Sequence, residues 1–395
     1  MLSPKSLALG TTRSSIRDIF EFGRARAAVV GAENVYDYSL GNPSVPAPEA
    51  VLEAIRTVFD ELTPAAIHGY TSAPGLDSAR DAVANNLNKR FGTKYTKANL
   101  YLTCGAAASL TSTFRALTIS DDTEFVAIAP FFPEYTVFAG NAGGKLAVVP
   151  ADVPDFQVDF AALEAAVNAN TQAVIVNSPN NPSGVVYTED TIKRLAALLT
   201  KKAAEVGHPI YLVADEPYRE LVYEGTVPFI PQYYADTIVC YSYSKSLSLP
   251  GERIGYVLVP DEATDAGNLI SAIAGAARQM GFVCAPSLMQ HVLARCADVE
   301  PDLAPYIRNR NLLYNALTEM GYHCAKPSGA FYLFVEAPGG DAAKFCEFAK
   351  QFDLLLVPGA SFGCPGYLRA SYCVDYDMIK RSLPAFEKAM KEFKA

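Results

Sequence analysis

No run of apolar residues approaches the roughly 18 that a membrane-spanning helix needs, and the first residues lack the charged-then-apolar order of a secretion signal. The four histidines are dispersed, and none of the eight cysteines forms a Cys-x-x-Cys pair, so the spacing of a metal site is missing. Lysine and arginine form no run, and the formal charge is −9, which argues against a nucleic-acid surface. An acidic small molecule stays open, since it needs only a few arginines in one pocket. There is no internal repeat and no low-complexity linker. Cys104, Cys240 and Cys284 lie in apolar runs and read as small core residues, which fits a reducing cytoplasm.

What remains is the composition of a packed protein: 395 residues, 50% hydrophobic and 19% charged, too long for one small core. Short apolar runs at 100–103, 125–129, 173–176, 210–214, 237–241 and 254–259 read as buried strands. Helical stretches between them are expected over 76–91, from 105 to 117 and over 189–205. This alternation predicts an α/β fold with a mostly parallel sheet and helices on both faces. A helix over 14–28 and an extended segment over 35–40 precede it. After 285 come helices over 285–296, 303–320 and 342–352, short strands, and a closing helix from 377, as in a smaller α+β domain. The expected division is an N-terminal segment, 1–45, joining the small domain, a large domain, 46–284, and the small domain, 285–395.

Several polar residues stand where apolar strands end. The stretch YSYSKSLSLPGERIGY over 241–256 puts Lys245 among serines just after one strand, with Arg253 eight residues later. Burying an ammonium is costly, and one reason to accept the cost is a lysine of lowered pKa that reacts with an aldehyde. Ser242, Ser244 and Arg253 are groups that hold a phosphate; a solvated lysine in a serine-rich turn is the alternative. Gly105-Ala106-Ala107-Ala108 opens a helix after a strand, which leaves free N–H groups for an anion. Asp215 follows the run 210–214, where open α/β sheets place ligand chemistry, although a helix N-cap would use the same residue. Arg369, within YLRASYCV, needs an anionic partner, either a ligand carboxylate or an internal salt bridge.

Ser-x-Ser-Lys, seven residues, then Arg-Ile-Gly resembles the lysine signature of class I/II aminotransferases, the fold-type-I enzymes that use pyridoxal 5'-phosphate. The resemblance runs in the family's order from the Gly41-Asn42-Pro43 turn to Arg369. It implies that Lys245 carries the cofactor as a Schiff base and moves the substrate proton. It further implies that Gly105, Ala106, Ala107, Ser242 and Arg253 bind the phosphate, and that Asp215 holds the protonated pyridine nitrogen. Asn181, in Asn-Pro-x-Gly, and Tyr218 would contact the ring oxygen. Phe132 would stack on the ring, although Phe131 aligns as well.

For the substrate, the resemblance implies a carboxylate site built from Arg369, Asn181 and the Gly41 turn. Tyr70 would reach the phosphate of a neighbouring subunit, implying a homodimer with shared sites. Arg278, eight residues before Pro286, would bind a distal carboxylate, or simply close a helix at its C-terminal dipole. The expected activity is transfer of an amino group between an L-amino acid, aspartate or aromatic, and a 2-oxo acid. The same lysine and phosphate cup would serve a pyridoxal-phosphate lyase acting at Cβ.

Overall fold

The computed structural model describes residues 2–11 and 15–394. Seven strands form the main sheet, in the spatial order Leu100–Thr103, Gly255–Leu258, Thr237–Ser242, Tyr211–Asp215, Thr171–Asn177, Glu124–Ile128 and Lys145–Val149. All neighbouring pairs are parallel except those made by Gly255–Leu258, which runs antiparallel to both its neighbours.

Near-continuous apolar strands such as FVAI and LVA are what a sheet covered on both faces demands. Alternate side chains point to opposite faces: Val126, Ile128, Leu212 and Ala214 enter one core, whereas Phe125, Ala127, Tyr211 and Val213 enter the other. Helices Glu49–Glu61, Asp77–Phe91, Glu189–Val206 and Ser287–Cys296 supply the first core. Helices Ala106–Leu117, Glu134–Ala142 and Ala266–Gln279 cover the opposite face.

A third core lies among Ala304–Glu319, Ala342–Ala349, Tyr376–Glu392 and a small antiparallel sheet. In that sheet Tyr367–Ser371 lies between Tyr332–Glu336 and Val357–Pro358. The N-terminal segment joins this part directly, because Tyr36–Asp37 pairs in parallel with Leu354–Leu355. The next residues continue the contact: Ser371 donates its N–H to the Tyr38 carbonyl.

Several expected boundaries shift: the extended segment over 35–40 is a strand only at Tyr36–Asp37, and the helix expected from 285 starts at Ser287. The helix expected over 14–28 runs Ser15–Val30, and residue 14 lies outside the described residues. The helix expected over 342–352 is α-helical only for Ala342–Ala349 and then tightens to a 3₁₀ turn, Lys350–Phe352.

Candidate active site

Three adjacent parallel strands end in Asn177, Asp215 and Ser242. Their register sets Asn177 opposite Asp215, and Asp215 opposite Cys240, so these residues share the rim formed by the strands' carboxyl ends. A cavity of about 300 Å³ opens there. Of the residues singled out in the sequence, Gly41, Ala106, Ala107, Phe132, Asn181, Asp215, Tyr218, Ser242, Lys245, Arg253 and Arg369 line it.

Gly105 stands just behind, with φ of 83° and no room for a side chain: a Cβ would come within 2.7 Å of Arg253 Nη2. Gly105 therefore lets the first turn of Ala106–Leu117 lie against the guanidinium without a side-chain cap over its N–H groups. The serines complete this end. Ser242 Oγ accepts from the Ser244 N–H at 3.2 Å and lies 2.7 Å from Ser244 Oγ, and Arg253 Nη1 donates to Ser244 Oγ at 3.4 Å. The result is a cup of hydroxyls, one guanidinium and a helix N-terminus, suited to a phosphate.

Lys245 lies not in an open loop but on a single helical turn, Tyr243–Ser246, capped by Ser242. Its Nζ donates to the Gly41 carbonyl at 2.6 Å and stands 5.5 Å from the Phe331 ring centre. Burial pulls its ammonium down to about 8; the Cys373 thiol acts against that shift, and the charges of Arg369 and Arg253 act with it. The solvated-lysine alternative does not describe this environment.

Asp215 is 4% exposed. The chain continues from it as a turn, so the N-cap alternative has no helix to cap. Tyr135 donates to Asp215 Oδ2 at 2.5 Å, Asn177 Nδ2 donates to the Asp215 carbonyl at 2.8 Å, and Oδ1 has no partner. Burial pushes the Asp215 carboxyl up to about 7, with the Tyr135 hydrogen bond working the other way. A cation donating a proton to Oδ1 would reverse that shift.

Arg369 is buried in the central strand of the small sheet. It donates to Asn181 Oδ1 at 2.9 Å and to the Ser39 carbonyl at 2.5 Å, while Nε has no partner. Neither partner is a carboxylate, so the internal salt bridge allowed by the sequence is absent. Burial lowers the Arg369 pKa, and a bound carboxylate would restore the charge balance of this site.

Phe132 lines the cavity, whereas Phe131 is buried in the second core, which separates two residues that the sequence left interchangeable. Tyr70 and Arg278 do not line the cavity of their own chain. Tyr70 is 95% exposed, on a loop held by the fully buried Gln290, which accepts from the Leu76 N–H and donates to Thr71 Oγ1. Arg278 is exposed in the last turn of Ala266–Gln279. Sequence reasoning missed Tyr135, Asn177 and Tyr332 at this site. Tyr135 was visible only as the last letter of APFFPEY, and its partner lies 80 residues away.

An α/β fold with this lysine, carboxylate and anion cup at the strand ends defines a fold-type-I pyridoxal-phosphate enzyme. The family model for aminotransferase class I and II matches residues 32–386, and the chain belongs to that family. It is 30% identical to the probable aspartate aminotransferase of Methanocaldococcus jannaschii, over 94% of this chain and 95% of that one. It is 27% identical to aromatic-amino-acid aminotransferase 2 of Thermococcus litoralis, over 96% of each.

Among solved structures, an aminotransferase from Eubacterium rectale superimposes with a TM-score of 0.97 at 56% identity, over the whole of both chains. The aspartate aminotransferase of Thermus thermophilus, solved with maleate, gives 0.86 at 26% identity over 98% of this chain and 99% of that one. The protein is thus a pyridoxal-phosphate-dependent transaminase acting on an amino acid and a 2-oxo acid. Its residues fit the cofactor: Asp215 leaves one buried carboxylate oxygen unpaired, and the Gly105 cradle keeps the anion cup open.

Proposed function

We propose that Lys245 is the cofactor-bearing and proton-transferring residue of this transaminase. The carrying observation is its Nζ, part-buried and drawn down to about 8 within a cavity it shares with Asp215 and Arg369. Pyridoxal phosphate supplies an electron sink for the bonds at the amino acid's Cα. Gly105, Ala106, Ala107, Ser242 and Arg253 would hold its phosphate. Asp215 Oδ1 would keep a proton on the pyridine nitrogen, while Asn181 and Tyr218 would face the ring oxygen and Phe132 the ring.

Arg369, with the Gly41 turn and Asn181, would grip the substrate α-carboxylate. That grip would fix which bond at Cα faces Lys245, whose amine would then take the proton from Cα. The proposed domains follow the sequence division, with the second boundary placed after Ser287–Cys296, because that helix packs in the first core. The cytoplasm is the proposed compartment; no helix among the described residues is long and apolar enough to cross a membrane.

A homodimer with shared sites is the second part of the proposal, supported by Tyr70, an aromatic residue 95% exposed on a pinned loop. A Tyr70→Phe variant of lowered activity, mixed with inactive Lys245→Ala subunits, should regain turnover as subunits exchange, because one site per mixed dimer is intact. No recovery after verified exchange would remove Tyr70 from the neighbouring site.

The proposed donors are aspartate or aromatic amino acids, the substrates named for several relatives. A panel of amino acids with 2-oxoglutarate or pyruvate tests this, and Arg278 sharpens it. If Arg278 binds a distal carboxylate across the dimer, Arg278→Ala should lower kcat/KM for aspartate and glutamate by roughly ten- to a hundredfold, the worth of about 1.5–3 kcal/mol for a charged hydrogen bond. Alanine and aromatic donors should hardly change. An equal loss for every donor, or none, would leave Arg278 as a cation completing its helix terminus.

A further inference from the structure

Tyr332, in the stretch SGAFYLFVEA, forms a wall of the cavity. It contacts three of the residues discussed above. Its hydroxyl lies 2.7 Å from the Tyr218 hydroxyl, and its ring lies under the Arg369 guanidinium, 4.7 Å from ring centre to carbon. A Cβ on Gly41 would collide with the same hydroxyl, so Gly41 is the residue that lets Tyr332 reach this far. Tyr332 begins the strand that pairs with the Arg369 strand, with Tyr332 opposite Ser371 and Phe334 opposite Arg369. The sheet therefore fixes its backbone, and both Tyr332 and Tyr218 are buried.

The proton count of this pair is decisive. Each phenol has one proton and its oxygen accepts as well as donates. A Tyr218 hydroxyl that donates into the cavity cannot also donate to Tyr332, so the 2.7 Å bond must then run from Tyr332 to Tyr218. We propose that Tyr332 is a positioning residue: its hydroxyl donates to Tyr218 and so directs the Tyr218 proton at the ring oxygen of bound pyridoxal phosphate, while its ring supports Arg369. This rests on the role given to Tyr218 above.

The other titratable or charged groups acting on the pair are Arg369, Asp215 and Cys373, and Lys245 shares the cavity. They stay in place in a Tyr332→Phe variant, which removes one oxygen atom and keeps the ring. A donor to a ring oxygen stabilises that oxygen's deprotonated form, and a donor that itself accepts a hydrogen bond is strengthened.

The test is a pH titration of the visible absorption of the pyridoxal-phosphate-loaded protein for wild type, Tyr218→Phe, Tyr332→Phe and the double variant. Tyr218→Phe should raise the midpoint. Tyr332→Phe should raise it by a smaller amount, and the double variant should match Tyr218→Phe alone, because the second hydroxyl acts only through the first. Unchanged melting temperatures would keep the comparison free of folding losses. If Tyr218→Phe leaves the midpoint unmoved, the role of Tyr218 falls. If Tyr218→Phe moves it but Tyr332→Phe does not, or if the two shifts add in full, the positioning role of Tyr332 is overturned.

Discussion

Lys245→Ala is expected to lower kcat by at least about a thousandfold, since proton transfer by a positioned side chain alone contributes roughly 10²–10⁴-fold. The loss should be in kcat for every donor, because the amine acts on Cα and not on the substrate side chain. The phosphate cup is untouched by this change: Ser242, Ser244, Arg253 and the turn at Gly105 hold their geometry without the lysine side chain. The variant should therefore still bind pyridoxal phosphate noncovalently, which equilibrium dialysis would measure. A Lys245→Ala protein with a tenth or more of normal turnover would place the proton transfer elsewhere.

Asp215→Asn is the second large effect, and it should move activity and stability in opposite directions. An amide no longer favours a protonated pyridine nitrogen, so kcat should fall about a hundredfold or more, as when one preorganised electrostatic partner is removed. In the protein without cofactor, burial holds the Asp215 carboxyl at about 7, above its value of 3.8 in an unfolded chain. Between those values the folded state binds more protons than the unfolded state, so this residue costs stability progressively as pH rises from about 4 to 7. Above 7 the cost is complete. Cofactor-free Asp215→Asn should accordingly melt higher than cofactor-free wild type at pH 8, with the gap closing at pH 4. Near-normal turnover, or a lower melting temperature at pH 8, would contradict this account.

The sequence carried much of this site because several residues that line the cavity sit at or just past strand ends, and strand ends can be read from apolar runs. Asp215 after YLVA and Ser242 after TIVCY needed only the position of a run and the polar residue that stops it, whereas Asn181, four residues past the end of TQAVIVN, was legible only through the Asn-Pro-x-Gly resemblance. Strand direction is not encoded that way. Nothing in GYVL distinguishes the antiparallel strand Gly255–Leu258 from its parallel neighbours.

The edge strand Lys145–Val149 was also missed, although its apolar run Leu146–Val149 is as long as the run 173–176 that was read as a strand. Helix Glu49–Glu61 escaped notice although Val51, Ala54 and Val58 mark a buried face at helical spacing. The supporting shell was the least legible. Tyr135 reaches Asp215 across 80 residues, and Tyr332 reaches Tyr218 across 114. Such pairs are set by how the two parts of the chain pack, and a tyrosine destined for them looks like any other core aromatic.

The most direct test of the account is where the cofactor attaches. Cofactor-free protein would be reconstituted with pyridoxal phosphate, reduced with borohydride, digested and mapped. The pyridoxyl label should appear on Lys245, and the rate of reconstitution should rise with pH through about 8, because only the deprotonated amine has a lone pair to react. A label on any other lysine, or none after reduction of fully loaded protein, would contradict the account.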